Sequence, residues 1–322
     1  MAKQRILVTG ASGTLGLNIL RQLVATNSYK VIAPVRSKSA ELATFGEDVQ
    51  FIDHELSDAI HTAQIFERAN PDVIVHAAAS GLRPPKGSWF DLMHFNVEST
   101  MRLFQMNCRF DHHSRFIYIS TGLVYREQGR PLLETDPIET LHPYGASKAA
   151  SDSMLQAAAA EFKRSLTILR PFAFTGLHDG GERLFPRIVT ASATGNTLPM
   201  TLGNQVRDFC SVEDIARAVV LTIERKPESM IEKFNLGSGV SVPLRDLVTD
   251  VCQKLKLAPK LEFGKVPMHP FEPFHSVADI TAAREKLGWT PRQSVARAVW
   301  ELARQMYPAL EMKEPAPGGR TA

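Results

Sequence analysis

Short apolar runs alternate with amphipathic stretches through the first half of the chain. Ile6–Thr9 is the first run, Leu15–Ala25 has apolar residues at helical spacing, and Lys30–Arg36 is a second run. This order favours a parallel sheet, because parallel strands need a helical crossover. The same pattern predicts further strands at Val49–Asp53, Asp72–Ala79, Arg115–Thr121 and Leu166–Phe172, with helices at Phe95–Asn107 and from Tyr144 onward. Six strands separated by helices predict an α/β fold with a doubly wound parallel sheet.

The alternation weakens after Pro171, where glycine and proline interrupt the chain more often. We therefore expect a dinucleotide-sized domain over residues 1–170 and a smaller lobe over 171–310, with segments near 205–240 returning to the first domain. Residues 311–322 have little to bury, which predicts a disordered tail. Within the second half, the pattern predicts helices at Asp214–Arg225, Leu244–Leu255 and Ile280–Leu287, and a short strand in Lys233–Gly239.

Charge and composition narrow the class of partner. The net charge of +3 is small for 322 residues, and the basic residues are scattered, which argues against a nucleic-acid or membrane surface and for a small molecule. Three widely spaced cysteines predict neither a disulfide framework nor a metal site. With no apolar run of membrane length and a strand beginning almost at once, we expect a cytoplasmic protein.

Glycines separate the first strand from the first helix in ILVTGASGTLGLNIL, at Gly10, Gly13 and Gly16. Bare backbone lets main-chain N–H groups approach a phosphate, and the helix N-terminus adds partial positive charge. The spacing is Gly-x-x-Gly-x-x-Gly rather than Gly-x-Gly-x-x-Gly. It predicts a phosphate-binding loop, although glycines also cluster in turns that bind nothing.

Tyr144 and Lys148 open the helix that follows the fifth strand, and their spacing places them on one helix face. An ammonium near a phenol lowers the phenol pKa, which suits a general acid or base. An isolated pair would more often be an incidental feature of a surface helix. Here Ser120 and Thr121 end the preceding strand, and ligands bind outside the carboxyl ends of such strands.

Taken together, the motifs resemble the extended short-chain dehydrogenase/reductase family, in particular its nucleotide-sugar epimerase, dehydratase and reductase branch. The resemblance spans nearly the whole chain and implies a Rossmann fold, an enzyme with a dinucleotide cofactor, and a homodimer. It rests on segments in the family's order: TGASGTLG, HAAA, FNVEST, ISTGLVY, YGASK, LRPFAFTG, RDFCSVEDIARAV, FNLGSG and AREKLGWTP.

By this resemblance, Thr121 holds the reacting oxygen, Tyr144 exchanges its proton, and Lys148 binds the nicotinamide ribose and lowers the tyrosine pKa. Asn96 matches the family's helix asparagine, although it could equally satisfy local backbone. Glu55 matches the acidic residue that contacts the adenine amine. The cofactor-binding residues implied are Gly10, Ser12, Gly13, Thr14, Leu15, Gly16, Arg36, Glu55, Leu56, Ala77, Ala78, Ala79, Tyr144, Lys148 and Pro171.

The end of the second strand bears on the choice of cofactor. An acidic residue there binds the ribose 2′-OH of NAD, whereas arginine accommodates a 2′-phosphate. Val35 stands where the acid is expected, Arg36 follows, and Lys38 adds charge. This favours NADP(H), with NAD(H) possible and a solvated arginine on a turn as the alternative.

Departures from the family pattern bear on the reaction. Dehydratases of this branch carry an Asp-Glu pair after the threonine, and this chain has Gly122 and Leu123. What remains is NADPH-dependent reduction of a 4-keto group on a nucleotide deoxysugar, as in 4-keto-deoxysugar reductases, or 4-epimerisation.

The substrate assignments depend on two arginines. Arg207 resembles the arginine that grips a nucleotide diphosphate, although it could pair with Asp208 or Glu213 instead. Arg183 or Arg187, in the loop and helix expected to cover the substrate, is the other candidate for a phosphate contact. Ala173 replaces a frequent asparagine that contacts phosphate, which leaves open a reductase of non-nucleotide carbonyls. A dinucleotide-sensing protein on the same fold is the non-enzymatic alternative.

Overall fold

The computed structural model describes residues 3–53, 59–81, 89–109 and 114–316. In chain order, its strands are β1 Gln4–Thr9, β2 Tyr29–Val35, β3 Val49–Asp53, β4 Val73–His76, β5 Arg115–Ile119, β6 Leu166–Pro171, β7 Ala173–Thr175, β8 Thr197–Met200, β9 Val206–Arg207, β10 Phe209–Ser211, β11 Ile231–Leu236, β12 Val242–Pro243, β13 Lys260–Phe263 and β14 His275–Ser276.

The α-helices are α1 Thr14–Thr26, α2 Ala40–Ala43, α3 Ala59–Ala69, α4 Trp89–Leu92, α5 Ser99–Arg109, α6 Pro143–Phe162, α7 Leu184–Thr194, α8 Val212–Glu224, α9 Leu244–Leu255, α10 Thr281–Leu287 and α11 Val295–Met306. A π-helix at Met93–Glu98 joins α4 to α5, and a short 3₁₀-helix spans Gly122–Val124. None of the helices in the described ranges is long and apolar enough to cross a membrane.

Seven strands form the main sheet in the order β11-β6-β5-β4-β1-β2-β3. Parallel pairing of β1 with both β2 and β4 makes β1 the point where the strand order reverses. Every residue of β4 and β6 is buried, as expected for strands covered by helices on both faces. The predicted doubly wound α/β fold is confirmed.

Four predicted strands end early, because the chain leaves the sheet to form loops at its carboxyl edge. The residues beyond the ends of β2, β4, β5 and β6 are Arg36, residues 77–79, residues 120–121 and Phe172. The short strand predicted in Lys233–Gly239 is instead β11, the seventh strand of the main sheet.

The chain divides into two compact units. The first comprises residues 1–126, 137–171 and 216–234, and the second comprises 127–136, 172–215 and 235–322. The returning segment is thus 216–234, within the span expected near 205–240. In the first unit, Leu7, Ile74 and Phe116 of the sheet pack with Phe104 and Leu155 of the helices.

The second unit has its own core, in which residues of α7, α9 and α11 pack with those of β8. The pattern of the sequence did not predict α11, where Val295, Val299 and Leu302 lie buried one turn apart. The tail expected from residue 311 is ordered at its start. Lys313 N donates to Leu255 O at 2.9 Å, and Glu314 pairs with Arg297 at 2.5 Å.

Candidate active site

The loops after β1 and β4 meet where the strand order of the sheet reverses. Ala77 N donates to Thr9 O at 3.2 Å, so the second loop begins directly beside the first. Gly10 has a φ of 70°, and a Cβ on it would lie 2.5 Å from Ala78 N. Only glycine allows this approach, and it places Ala77, Ala78 and Ala79 next to the glycine loop.

Gly16 and Gly13 differ in what their missing side chains accommodate. A Cβ on Gly16 would lie 2.1 Å from Gly10 O, so the fold itself requires this glycine. Gly13 is exposed, has an ordinary φ of −82°, and its Cβ would make only a 3.4 Å contact. Gly13 therefore leaves open space at the N-terminus of α1, beside exposed Ser12, half-buried Thr14 and buried Leu15. This space suits a phosphate.

Tyr144 lies in the first turn of α6, and Lys148 lies one turn later on the same face. Tyr144 is half-buried, whereas Lys148 is 1% exposed. Lys148 Nζ lies 4.1 Å from the ring centre of Tyr118 on β5. The helix therefore brings the predicted pair to the central strands of the sheet.

Thr121 caps the short helix after β5, and its Oγ1 accepts a hydrogen bond from Leu123 N at 3.2 Å. Because its oxygen accepts there, the Thr121 hydroxyl proton can still be donated to another group. A Cβ on Gly145 would lie 2.4 Å from Leu123 O, so this glycine lets the start of α6 approach the Thr121 turn. Gly145 belongs to the YGASK motif, but the sequence alone assigns it no role.

Lys148 has a lowered pKa and a buried ammonium group. Burial lowers its pKa to about 7, and the negative charge of Asp152 opposes that change. Across the described ranges, Lys148 Nζ has neither an ion-pair partner nor a hydrogen bond. A buried cation without a direct partner is costly, which makes it a candidate functional group.

Asn96 lies in the π-helix and is fully buried. Its Oδ1 accepts from Ser80 N at 2.8 Å, and its Nδ2 donates to Ser80 O at 2.9 Å and to Ser147 Oγ at 2.9 Å. These bonds tie the loop after β4 to α6. The geometry favours a positioning role for Asn96. This role is close to the alternative, in which Asn96 satisfies hydrogen bonds of the nearby backbone.

His76 is the last residue of β4, next to the glycine loop, and is also fully buried. Its Nδ1 lies 2.7 Å from Thr9 Oγ1, and its Nε2 lies 2.8 Å from Thr100 Oγ1. Burial, together with the charge of Lys148, lowers its pKa to about 3. His76 is therefore neutral at physiological pH and packs the strand rather than exchanging protons.

The remaining residues predicted to bind the cofactor lie at the same edge of the sheet or outside the described ranges. Arg36 follows β2, is exposed, and has no side-chain partner in the part of the chain that the structure describes. Val35 before it is buried. Pro171 is the buried last residue of β6. Glu55 and Leu56 lie outside the described residues.

Arg207, on β9 of the second unit, forms an ion pair that the sequence did not predict. Its Nη2 lies 2.6 Å from Glu272 Oε1, and its Nη1 donates to Val206 O at 2.9 Å. The alternative partner Asp208 is instead used by backbone, accepting from Gly239 N at 3.0 Å and from Ala278 N at 3.1 Å. Asp208 thus holds loops of the second unit together.

Arg183 is also paired within the second unit. Its Nη1 lies 2.9 Å from Asp179 Oδ1, its Nη2 donates to Phe174 O at 2.8 Å, and its guanidinium stacks on the Phe174 ring at 4.5 Å. These contacts give it a structural role before any ligand binds. Whether it also contacts substrate stays a prediction.

The chain belongs to the NAD dependent epimerase/dehydratase family, whose model matches residues 6–237. It is therefore an enzyme of the extended short-chain dehydrogenase/reductase type, as the motifs predicted. The glycine loop, the Thr121 turn and the Tyr144–Lys148 helix all lie within the matched span. The open space at Gly13 and the unpaired Lys148 ammonium fit the dinucleotide that the family uses.

Curated relatives in this family include both epimerases and dehydratases. A UDP-glucose 4-epimerase from Corynebacterium glutamicum is 25% identical, covering 92% of this chain and 94% of that protein. A dTDP-glucose 4,6-dehydratase from Neisseria meningitidis is 26% identical, covering 90% of each. Among solved structures, UDP-glucuronic acid 4-epimerase from Bacillus cereus, in complex with UDP-glucuronic acid and NAD, has a TM-score of 0.83 at 24% identity. It covers 94% of this chain and 99% of that chain, which supports the fold.

Proposed function

We propose that this enzyme reduces the 4-keto group of a nucleotide-activated deoxysugar at the expense of NADPH. The observation that carries the proposal is the assembly of Tyr144, buried Lys148 and the Thr121 turn at the central strands. Gly13, Lys148 and Arg36 are the residues that would hold the cofactor. When bound, NADPH supplies the hydride that reduces the carbonyl.

The chain's own residues divide the remaining work. The Thr121 hydroxyl donates a hydrogen bond to the carbonyl oxygen and polarises it. Tyr144 gives that oxygen its proton, and the Lys148 ammonium stabilises the phenolate that Tyr144 becomes. A dehydratase would need further proton-transfer groups after Thr121, and Gly122 and Leu123 have no such groups.

The preference for NADPH over NADH is supported by the end of β2. Arg36 is exposed and free of side-chain partners among the described residues, while Val35 offers no acceptor for a ribose hydroxyl. A guanidinium can grip a 2′-phosphate with paired hydrogen bonds. The solved epimerase named above is in complex with NAD, and a comparison of NADPH and NADH binding by this chain tests the preference.

A 4-epimerase is the second candidate, because curated relatives such as the Corynebacterium glutamicum protein have that activity. A reductase of non-nucleotide carbonyls is the third. It is favoured by Ala173, which offers phosphate no side-chain hydrogen bond, and by the Arg207–Glu272 pair, which balances the charge that would attract a diphosphate.

The deciding experiment mixes the purified protein with NADPH and a panel of nucleotide 4-keto-6-deoxy sugars, and follows nicotinamide absorbance and sugar product together. Stoichiometric NADPH loss with a new hydroxyl group establishes the reductase. A rearranged sugar without net cofactor consumption favours the epimerase. Silence on both contradicts the proposal and brings forward the non-nucleotide reductase and the sensing protein.

We further propose a homodimer in the cytoplasm. Exposed apolar residues support the dimer, because Trp89 and Phe90 of α4 and Met154 of α6 are 61%, 83% and 48% exposed on the isolated chain. Sedimentation equilibrium tests it. A species of twice the chain mass supports the proposal, and a monomer at micromolar concentration contradicts it.

A further inference from the structure

A buried acidic residue lies one helical turn beyond Lys148. Asp152 is four residues along α6, on the same face, and both residues are almost completely buried. Neither the glycine loop nor the predicted catalytic residues accounts for a buried carboxylate here. The i,i+4 spacing of Lys148 and Asp152 is visible in the sequence, but the burial of Asp152 is not.

Arg170 of β6 fixes Asp152 in place. Its Nε and Nη2 lie 3.0 and 2.9 Å from Asp152 Oδ2, and its Nη1 donates to Tyr125 Oη at 2.6 Å. Ser120, which follows β5, also lowers the pKa of Asp152 through a side-chain hydrogen bond. Arg170 thus holds one oxygen of Asp152 in place, and Arg170 and Ser120 together favour the carboxylate.

Titratable groups of both the sheet and α6 face Lys148. From the sheet they are Tyr118, whose pKa burial raises well above its usual value, and His76, which is neutral at physiological pH. From α6 they are Tyr144 and Asp152. Arg170 and Tyr125 complete the surroundings on the far side of Asp152. Among these, Asp152 alone bears a carboxylate.

We propose that Asp152, fixed by Arg170, is a positioning residue that keeps Lys148 charged beside Tyr144. Burial drives the Lys148 pKa down to about 7, and the charge of Asp152 raises it. Burial likewise raises the pKa of Asp152, and Arg170 opposes that rise, which favours the ionised carboxylate. This inference rests on the proposed role of Tyr144 and Lys148 but not on the identity of the substrate.

The test measures the titration of Lys148 by NMR in protein labelled with ¹³C-lysine. Lys148→Met identifies the signal, which is expected to titrate near pH 7, far below an ordinary lysine. In Asp152→Asn the midpoint should fall by about one pH unit, a tenfold loss of proton affinity. Glu232→Gln is the matched control, because it removes another buried carboxylate paired with an arginine in the first unit and should leave the midpoint unchanged. An unchanged midpoint in folded Asp152→Asn overturns the proposal.

Asp152→Asn removes the ion-pair partner of Arg170, and loss of one member of a buried ion pair often destabilises the fold. Lys148→Met therefore provides a reciprocal measurement that keeps the Asp152–Arg170 pair intact. In ¹³C-aspartate protein, loss of the ammonium should raise the midpoint of the Asp152 carboxyl. An unchanged midpoint there also overturns the proposal.

Turnover gives the second readout. Asp152→Asn should be active at low pH, but its activity should fall at a lower pH than that of the wild type as the pH rises. Asp152→Glu should restore the wild-type pH profile. An equal loss at every pH indicates a merely structural role and overturns the proposal. If no substrate turns over but the lysine midpoint moves, the proposed function fails while the link between Asp152 and Lys148 stands.

Discussion

Lys148 of the first unit and Arg207 of the second are both buried cations, but their charges are balanced differently. Lys148 is 1% exposed and has no ion pair among the described residues. Arg207 is 8% exposed and lies 2.6 Å from Glu272. A buried charge without a direct partner costs stability, so Lys148 needs a functional explanation. Arg207 does not need one, because Glu272 balances its charge.

Because of this difference, the structure supports the proposed chemistry more directly than the proposed substrate. The first unit carries an arrangement that suits proton transfer beside a dinucleotide. In the second unit, both predicted substrate arginines have structural partners, Glu272 and Asp179. The reaction class is therefore better supported than the nucleotide part of the substrate.

The largest expected effect tests the first unit. Tyr144→Phe should reduce kcat by about 10³-fold, within the range of lost general acid catalysis, because the phenol proton is removed while the ring stays. NADPH affinity should remain nearly the same in fluorescence titration. Tyr29→Phe, at the start of β2, is the control and should turn over normally. A fully active Tyr144→Phe would remove the chemical role from this site.

The two glycines of the loop allow a second test of the same unit. Gly16→Ala places a Cβ 2.1 Å from Gly10 O and should lower the free energy of unfolding by about 1–3 kcal/mol. Gly13→Ala meets only a 3.4 Å contact and should fold normally, yet bind NADPH about tenfold more weakly, near 1.4 kcal/mol. Thermal unfolding and cofactor titration measure both variants. Equal cofactor binding by Gly13→Ala and the wild type would mean that the open space binds no phosphate.

Cofactor choice gives a comparable effect at the rim of the first unit. Arg36→Ala should weaken NADPH binding about tenfold and leave NADH binding unchanged, because only the 2′-phosphate contacts the guanidinium. Lys30→Ala is the control, because Lys30 is an exposed lysine near the opposite end of β2 and should leave the binding of both cofactors unchanged. Tighter binding of NADH than of NADPH by the wild type would refute the preference.

The smallest expected effect concerns Arg207 of the second unit. If it is observed, Arg207 has a role in substrate binding and resembles Lys148 more closely. Glu272→Gln frees the Arg207 charge, so the KM of a nucleotide-diphosphate substrate should fall by about three- to fivefold, a surface-scale electrostatic gain. Glu301→Gln, which loosens the Arg297 pair, is the control. A lower melting temperature with an unchanged KM would show that Arg207 is structural.

Much of the first unit could be predicted from the sequence, because buried parallel strands are continuous apolar runs and their loops carry distinctive glycines. The bounds of β3 match the prediction residue for residue, as do those of α9 in the second unit. The Tyr144–Lys148 pair could be predicted because both residues lie on one helix, where spacing alone determines the shared face.

The rest depends on contacts between residues far apart in the chain. Glu272 pairs with Arg207 across 65 positions, and Asp152 with Arg170 across 18. No local sequence pattern predicts such ion pairs. The role of Gly145 likewise depends on the carbonyl of Leu123, which folding brings within 2.4 Å of its would-be Cβ. Burial and pairing, which separate functional from structural charges here, appear only in three dimensions.

The most direct test of the central claim is the fate of deuterium from NADPH labelled at the nicotinamide C4, prepared separately for each face. Mass spectrometry of the sugar product from the active 4-keto substrate gives the answer. We expect one deuterium per product molecule from one labelled face only, with equimolar NADPH oxidation. A converted sugar that carries no deuterium, with NADPH unconsumed, would contradict a net reduction by this site.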